Sequence, residues 1–247
     1  MFCNFSVTRI VKQPKNHQLN SIKSMKVLYL FMSVLMLTSC KIDLSGWDKN
    51  LIEPSDKVVT KEYKLKPFEK VEMRCIGNVE LIQDEKKSGT VELTAPDNYI
   101  ELYKFESDGK ELEINFVRNN INVHTKNVKI RVFTGDLIEL RNSGASTITM
   151  DHLDTDKIQI NNSGVGSITI GGVADDVSLR NSGVGSINAE NLKALNVKAD
   201  VTGVGSITCY ASEKIEGRVS GVGSLKYAGK PKHKDNKRTG VGSISEM

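Results

Sequence analysis

The chain has 247 residues and a formal net charge of +4, from 34 Lys plus Arg against 30 Asp plus Glu. Five of the basic residues and none of the acidic ones precede Cys40, which leaves 29 basic and 30 acidic side chains, a net charge of −1, in residues 40–247. This balance gives no support for nucleic-acid binding, and four cysteines are too few for a disulfide framework.

The N-terminal segment has the features of an export signal. Lys26 precedes an apolar run at residues 27–37, and the sequence Leu37-Thr38-Ser39-Cys40 ends it. A basic start, a short apolar run and small residues before a cleavage site are typical of a signal peptide. The run is shorter than the ~20 residues of a membrane-spanning helix. The last four residues resemble a bacterial lipobox, so we expect residues 1–39 to be a leader and Cys40 to be the lipid attachment site. An ordinary signal peptide with an incidental cysteine is the alternative.

This signal predicts a lipid-anchored protein of the bacterial cell envelope. Met25 is a better start for the signal than Met1, so residues 1–24 are interpreted as a misassigned extension. Lys41 follows the lipidated cysteine in place of the Asp that retains some lipoproteins in the inner membrane, which favours the outer membrane. Residues 40–57 are polar, lack periodicity and include Pro54, so they are predicted to be a flexible tether.

Residues 58–134 are predicted to form an irregular β-rich part. Apolar and polar residues alternate at 71–73, 79–82, 91–93, 112–116 and 128–133, as expected for short strands. Asp97 is a candidate N-cap for a short helix near residues 99–103. Residues 107–110, Ser-Asp-Gly-Lys, are typical of a turn that leads into the next strand.

Residues 135–247 repeat one motif, which reads Asn-Ser-Gly-Val-Gly-Ser-Ile at residues 162–168 and again at 181–187. Six copies begin at residues 142, 162, 181, 201, 219 and 238, and five of them share Gly-Val-Gly-Ser. Their first glycines are 20, 19, 20, 18 and 19 residues apart. A fixed period of this length indicates a repeat architecture.

Between the copies, apolar and polar residues alternate with a period of two, and no helical period follows Thr134. We therefore predict an all-β fold, a parallel β-solenoid with two short strands in each coil of ~19–20 residues, its coils stacked ~4.8 Å apart. The alignment places Ile158 and Ile160 beside Val177 and Leu179, and beside Leu195 and Val197 in the next coil. Equivalent apolar residues should form buried ladders, one of them composed of Ile148, Ile168, Ile187, Ile207, Leu225 and Ile244.

The glycine motif is interpreted as a structural corner. Glycine adopts the positive φ values of tight bends, and Asn and Ser bond locally to a turning backbone. We expect hydroxyls to pair from coil to coil along Thr147, Ser167, Ser186, Ser206, Ser224 and Ser243. A phosphate loop would open a helix, and a calcium-binding β-roll would place an Asp after the glycines. Neither pattern occurs, so no cofactor and no metal are predicted.

A β-helical polysaccharide lyase or glycosidase is the alternative function, because such enzymes use clustered carboxylates on one face of the solenoid. The candidate residues are Asp151, His152, Asp154, Asp156, Asp175 and Asp176. They are expected in turns between strands, where Asp is common for conformational reasons alone, and long active-site insertions are missing from the sequence. No catalytic residue is therefore assigned. Cys209 falls in an inward ladder with Met150, Ile170, Ala189 and Tyr227, and Cys75 is also interpreted as structural.

We expect the C-terminal coil to leave strand edges open. Residues 230–238, with five Lys or Arg, are predicted to be a basic loop, which is one candidate cover. The other is a second copy of the chain, stacked end to end through Val241 and Ile244.

Three segments in order, residues 66–83, 91–116 and 128–146, followed by the Gly-Val-Gly coils, resemble the head GIN domain, a bacterial envelope family described as auto-transporter adhesins. The resemblance covers residues 61–244. It implies a right-handed β-solenoid on an exported lipoprotein, and it carries over no catalytic or binding residue. The expected function is non-enzymatic adhesion, scaffolding or binding, with a surface glycan or a protein as partner.

Overall fold

The structure is a computed structural model that describes residues 51–117 and 122–247. Its N-terminal half contains nine short strands, with 3₁₀ helices at Glu85–Lys87, Asp97–Leu102 and Thr125–Asn127. The strands are β1 (Leu51–Ile52), β2 (Val58–Lys64), β3 (Lys70–Arg74), β4 (Ile76–Gln83), β5 (Thr90–Pro96), β6 (Tyr103–Ser107), β7 (Glu111–Phe116), β8 (Asn122–Val123) and β9 (Lys129–Thr134). Among the described residues, no helix is long and apolar enough to cross a membrane.

The glycine-rich half forms the column of stacked coils. Its strands are β10 (Glu139–Asn142), β11 (Ala145–Asn162), β12 (Val165–Asn181), β13 (Val184–Val201), β14 (Val204–Val219), β15 (Val222–Ala228), β16 (His233–Arg238) and β17 (Val241–Glu246). Neighbours from β10 to β15 pair in parallel, β16 adds to β14, and β17 adds to β15. The predicted all-β solenoid is therefore confirmed, with about five turns and a spacing of about 20 residues.

Each complete coil is one long strand with a bulge, where two short strands had been predicted. In β11 the register shifts between Met150 and Leu153, and β13 has irregularities after Ala189 and after Ala194. A bulge bends a strand without ending its backbone pairing, so the coil turns while its hydrogen bonds to both neighbours continue.

The apolar ladders fill the interior as predicted, apart from one coil. Ile148, Ile168, Ile187, Ile207 and Leu225 are all buried, and Ile244 packs against them. The alignment of Leu195 was wrong: Leu195 is 43 % exposed, while Val177 pairs with Val197, and Leu179 with Ala199. The extra residues of this coil lie in the bulges of β13. The pairing of β13 with its neighbours is regular again from Asn196 to the next corner.

The N-terminal part continues the same column. Strands β3 and β4 pair in parallel with β10 and β11, and β7 and β9 pair in parallel on their far side. Antiparallel strands then close this end, because β6 pairs with β7, and β5 lies between β9 and β2. One buried apolar core, from Phe68 to Tyr227, runs through both parts.

Two local features of this region can be compared with the prediction, and only the first differs from it. The short helix begins at Asp97, but Pro96 occupies the N-cap and no side chain caps it, so Asp97 is not the N-cap. The carboxylate of Asp97 instead accepts a hydrogen bond from the hydroxyl of Ser55 at 2.6 Å. The turn before β7 forms as expected, with Asp108 accepting hydrogen bonds from the amides of Lys110 and Glu111.

The end of the predicted tether contacts the fold. Strand β1 pairs in parallel with β8, and the hydroxyl of Tyr99 donates to the carbonyl oxygen of Ile52 at 2.5 Å. The backbone amide of Ser55 donates to the side chain of Asn98 at 3.0 Å. These contacts fix residues 51–55 to the N-terminal end of the column.

The corner motif is confirmed as structural. Both of its glycines lie too close to the coil below for a Cβ, and the second also bends the chain. The second glycine has positive φ in three copies: 129° at Gly166, 135° at Gly185 and 153° at Gly205. At the first glycine, for example Gly183, an added Cβ would overlap the backbone carbonyl of Gly164 in the coil below. Close stacking of backbone, as well as bending, therefore demands glycine.

A buried asparagine ladder supports the corners. The amide of Asn142 donates to the side-chain oxygen of Asn162 at 2.9 Å, and Asn162 donates to Asn181 at 3.1 Å. Asn181 donates in turn to the carbonyl oxygen of Gly185 at 2.8 Å. In the next two coils, Val201 and Val219 take the same register position.

The basic segment at residues 230–238 is mostly a strand and not a loop. Its residues His233–Arg238 form β16, which pairs with the second half of β14, and all six are exposed. Lys234 forms an ion pair with Glu246 of β17 at 2.7 Å.

Candidate functional site

The outward side chains of the first half of each coil form a surface that we call the neutral face. It consists of three rows that run along the column, each with one residue from β11, β12, β13, β14, β15 and β17. The valine row is Ala145, Val165, Val184, Val204, Val222 and Val241; the serine row is Thr147, Ser167, Ser186, Ser206, Ser224 and Ser243; the threonine row is Thr149, Thr169, Asn188, Thr208, Lys226 and Ser245. Lys226 is the single charged side chain in these rows.

The alternation of the strands produces this face. Ile168 and Ile170 point into the core, so Ser167 and Thr169, on either side of Ile168, point outward. The valine row lies next to the corners and is well exposed: Val165, Val184, Val204 and Val222 are 55 %, 52 %, 53 % and 54 % exposed. Such similar exposure in four successive coils means that the valine row presents nearly the same surface on each of these rungs.

The hydroxyls of the serine row do not pair from coil to coil, contrary to the expectation. Within the described ranges 51–117 and 122–247, these hydroxyls form no hydrogen bond with the protein. The reason is distance, because coils ~4.8 Å apart separate equivalent oxygen atoms by more than the ~3 Å of a hydrogen bond. The corner serines behave differently, since Ser163 donates to the carbonyl oxygen of Asn142 at 3.2 Å. The serine row therefore presents free donors and acceptors at a regular interval.

A groove of about 610 Å³ lies at the N-terminal end of the neutral face. Thr147 and Thr149 of the face line it, together with Asn78, Thr94 and Asn127. Val58, Val79 and Val128 give it an apolar component, and Glu80 forms an ion pair with Lys129 at 2.7 Å within it. The groove is thus continuous with the serine and threonine rows.

The second half of each coil presents a different surface, the charged face. Its rows contain Lys157, Asp176, Asn196, Lys214 and His233; Gln159, Ser178, Lys198, Glu216 and Asp235; and Asn161, Arg180, Asp200, Arg218 and Lys237. Lys214 pairs with Glu216 at 2.6 Å, and Asn196 donates to Asp176 at 3.0 Å. Charges of both signs are mixed within these rows, so the face offers no large single-sign patch to a charged polymer.

Toward the N-terminal end, the charged face continues into an ion-pair network around Glu72. Glu72 is 8 % exposed, and its carboxylate accepts two hydrogen bonds from Arg74 and one from Arg141, each at 2.9 Å. Burial acts to raise the pKa of Glu72, but the hydrogen bonds and charges of the two arginines outweigh it and hold that pKa below its ordinary value of 4.5. Every cation of this network faces a carboxylate, so its role is structural.

The residues considered for catalysis do not form one site. All six, Asp151, His152, Asp154, Asp156, Asp175 and Asp176, are exposed. Asp151 and His152 lie at the bulge of β11, in a shallow depression of about 270 Å³ beside Gln83. Asp176 lies on the charged face. In the described part of the chain, no three His, Cys, Asp or Glu side chains are placed to hold a metal ion.

The two cysteines of the fold are buried, as interpreted from the sequence. Burial raises the pKa of the Cys75 thiol to about 11 and that of Cys209 to about 12. Thiols with such pKa values are poor nucleophiles at neutral pH. Cys40, the predicted lipid attachment site, lies outside the described residues.

Sequence reasoning missed the neutral face. The signal was present, because valine stands between the two glycines in five copies of the motif. This valine lies within the corner motif, and its position three residues before an inward isoleucine predicts outward exposure in a strand.

Comparison with known proteins places this geometry among bacterial adhesin-like solenoids. Residues 67–231 match the family described as "Putative auto-transporter adhesin, head GIN domain". A crystal structure of a putative adhesin from Bacteroides fragilis is 31 % identical, with a TM-score of 0.68, and the match covers 79 % of this chain and 100 % of that one. A putative lipid binding protein from Parabacteroides distasonis is 18 % identical, with a TM-score of 0.51, over 79 % of this chain and 99 % of that one, and it supports the fold alone. No curated protein matches the chain.

Proposed function

The chain belongs to the head GIN domain family, and from this premise we propose that it is an exported, lipid-anchored cell-envelope protein that acts as a non-enzymatic adhesion or binding module. The neutral face, with the groove at its end, is the contact surface of this module. Its partner outside the membrane is a surface glycan or a protein.

The observation that carries the proposal is the regularity of the neutral face. All six rungs present a methyl-bearing side chain in the valine row and a hydroxyl in the serine row, and the hydroxyls of the serine row have no partner within the described protein. A surface that repeats in one direction suits a ligand that also repeats, because each rung adds one equivalent contact. Catalysis would instead require one distinctive cluster, and the candidate carboxylates are dispersed and exposed.

The proposed location in the cell envelope rests on the sequence Leu37-Thr38-Ser39-Cys40 after the apolar run. A diacylated Cys40 would hold the protein at the envelope, since two acyl chains anchor firmly where one is marginal. Cells that produce the full chain should incorporate a palmitate analogue into it, and the Cys40→Ala variant should not. Equal labelling of the two proteins would refute the anchor.

Binding and hydrolysis are separated by one combined measurement. The full chain is screened on an array of glycans and envelope proteins, and every polysaccharide that binds is then tested for cleavage products. Binding without cleavage is expected. Cleavage that disappears in an Asp151→Asn or Asp176→Asn variant would favour the carbohydrate-active enzyme.

End-to-end association through Val241 and Ile244 stays a prediction. Val241 is 74 % exposed, compared with 54 % at Val222 one rung earlier. Light scattering at micromolar concentration measures the mass directly. A monomer mass that also stays the same after Val241→Lys would exclude this contact.

A further inference from the structure

We propose that the ligand of the neutral face is a linear, uncharged polysaccharide that lies along the column, across the strands, with one end in the groove beside Asn78 and Asn127. This inference rests on the proposed binding function and narrows it to one class of ligand and one orientation.

The chemistry of the face matches a neutral glycan. From Ala145 to Thr208 the three rows contain no charged side chain, so nothing there would balance the charge of a polyanion or a polycation. A sugar chain offers hydroxyls at regular intervals, which can bond to the unpartnered hydroxyls of Ser167, Ser186 and Ser206. The valine row supplies methyl groups for the C–H faces of the sugar rings.

The size of the face argues against a second copy of the chain. Six rungs ~4.8 Å apart give a length of about 24 Å, and three rows at alternate positions of a strand give a width of about 14 Å. The footprint, roughly 340 Å², is less than half of the ~800 Å² that each partner contributes to a standard protein interface. A narrow polymer, in contrast, needs no more width than this.

A peptide strand is also disfavoured. Extended peptides bind sheets by adding to an edge, where unpaired backbone groups give most of the affinity. From β11 to β15 the backbone under the rows is already paired with the coils on both sides, as in β12 between β11 and β13. A peptide on this face would find side chains alone.

The groove supplies the polar groups that an open face lacks. Asn78, Thr94 and Asn127 line its walls, and the Glu80–Lys129 ion pair sits within it. Amide and hydroxyl side chains are well suited to sugar hydroxyls because they both donate and accept hydrogen bonds. Since the groove contains Thr147 and Thr149, a chain that follows the serine and threonine rows enters it directly.

The test uses two serines of the same strand. Ser167 lies on the neutral face and Ser178 on the charged face; both are half-buried, and neither hydroxyl has a partner in the described protein. Ser167→Lys and Ser178→Lys in the full chain therefore make the same chemical change at matched positions. Affinity is measured by titration calorimetry against hydroxyethylcellulose, mixed-linkage β-glucan, mannan and dextran, with alginate as the charged control and phosphatidylethanolamine–phosphatidylglycerol vesicles as the lipid control.

We expect at least one neutral glycan to bind, Ser167→Lys to lower its affinity at least tenfold, and Ser178→Lys to leave it unchanged. With oligosaccharides of that glycan, affinity should rise with length until the chain spans about 24 Å. Equal effects of the two variants, preference for alginate or vesicles, or full affinity for a disaccharide would overturn the inference. If the array shows a protein ligand and no glycan, the binding function stands and this inference fails.

Discussion

The side-chain amide of Asn142 donates a hydrogen bond to the side-chain oxygen of Asn162, one coil farther along the column and buried equally completely. Asn162 repeats the contact with Asn181, so each asparagine satisfies the next. The ladder ends at Met73 on one side and at Val201 on the other. At its first member, the side-chain oxygen of Asn142 is buried without a partner.

Breaking the middle of this ladder should cost more than removing it. Asn162→Val leaves the amide of Asn142 and the oxygen of Asn181 unpaired, and each buried unpaired group costs about 1–3 kcal/mol. A variant with valine at 142, 162 and 181 extends the buried valines already found at 201 and 219. Urea unfolding should therefore show the triple variant to be more stable than the single one. A triple variant destabilised about three times as much would contradict this account.

Gly185→Ala should destabilise the fold. Gly185 has φ of 135°, and a Cβ there would overlap the carbonyl oxygen of Gly166 in the coil below. Backbone strain of this kind costs ~1–3 kcal/mol. Thermal unfolding measures the loss, and Val184→Thr, at the neighbouring exposed position, serves as the control that should unfold like the wild type. Overlapping melting curves for Gly185→Ala and wild type would show that the corner tolerates a side chain.

Acid should weaken the N-terminal part through Glu72. The folded protein lowers the pKa of this carboxyl below 4.5, so the unfolded chain binds the proton more readily and falling pH favours unfolding. The stabilisation by the ionised carboxylate of Glu72 is complete above the pKa that Glu72 has in the unfolded chain. It is lost as the pH falls through the lower pKa that Glu72 has in the folded protein. We expect the difference in unfolding free energy between wild type and Glu72→Gln to be largest at pH 7 and to shrink below pH ~4.5. If the unfolding free energies of the two proteins ran parallel across this pH range, Glu72 would not be the cause of the acid sensitivity.

Both buried thiols should resist modification. In a full chain with Cys3→Ser and Cys40→Ser, a chromogenic disulfide reagent at pH 8 should react slowly with the native protein, because the pKa values of Cys75 and Cys209 are about 11 and about 12. In denaturant, both thiols of each chain should react at once. Rapid reaction of one thiol in the native state would mean that its part of the column opens readily.

The sequence was sufficient to predict the column because its corners recur at a nearly constant spacing, and inward isoleucines follow each corner at a fixed distance. It was insufficient where pairing joins distant residues. Ile76 lies beside Ala145, and Val79 beside Ile148, but Gly77 alone resembles the corner motif too weakly to be recognised. The register of Leu195 failed for a related reason, since a bulge changes the count of residues without changing the alternation of side chains.

The site was harder to predict than the fold. Outward residues such as Val184 and Ser186 are not required for the core. The alternation of apolar and polar residues predicts that they are exposed, but it does not predict what they contact. The groove could not be foreseen at all, because Val58, Asn127 and Thr149 meet there from three separate segments of the chain.

The two ends of the column differ in how they tolerate genetic change. Antiparallel strands β2, β5 and β6 lock the N-terminal end, whereas each coil from β11 to β14 stacks in the same register on the one before it. Residues 162–168 and 181–187 are identical in amino-acid sequence, so deletion or duplication of the stretch from one to the other would remove or add one whole coil and leave every ladder continuous. The column can therefore become longer or shorter during evolution by one coil, ~4.8 Å, at a time, along its axis and without a change of fold.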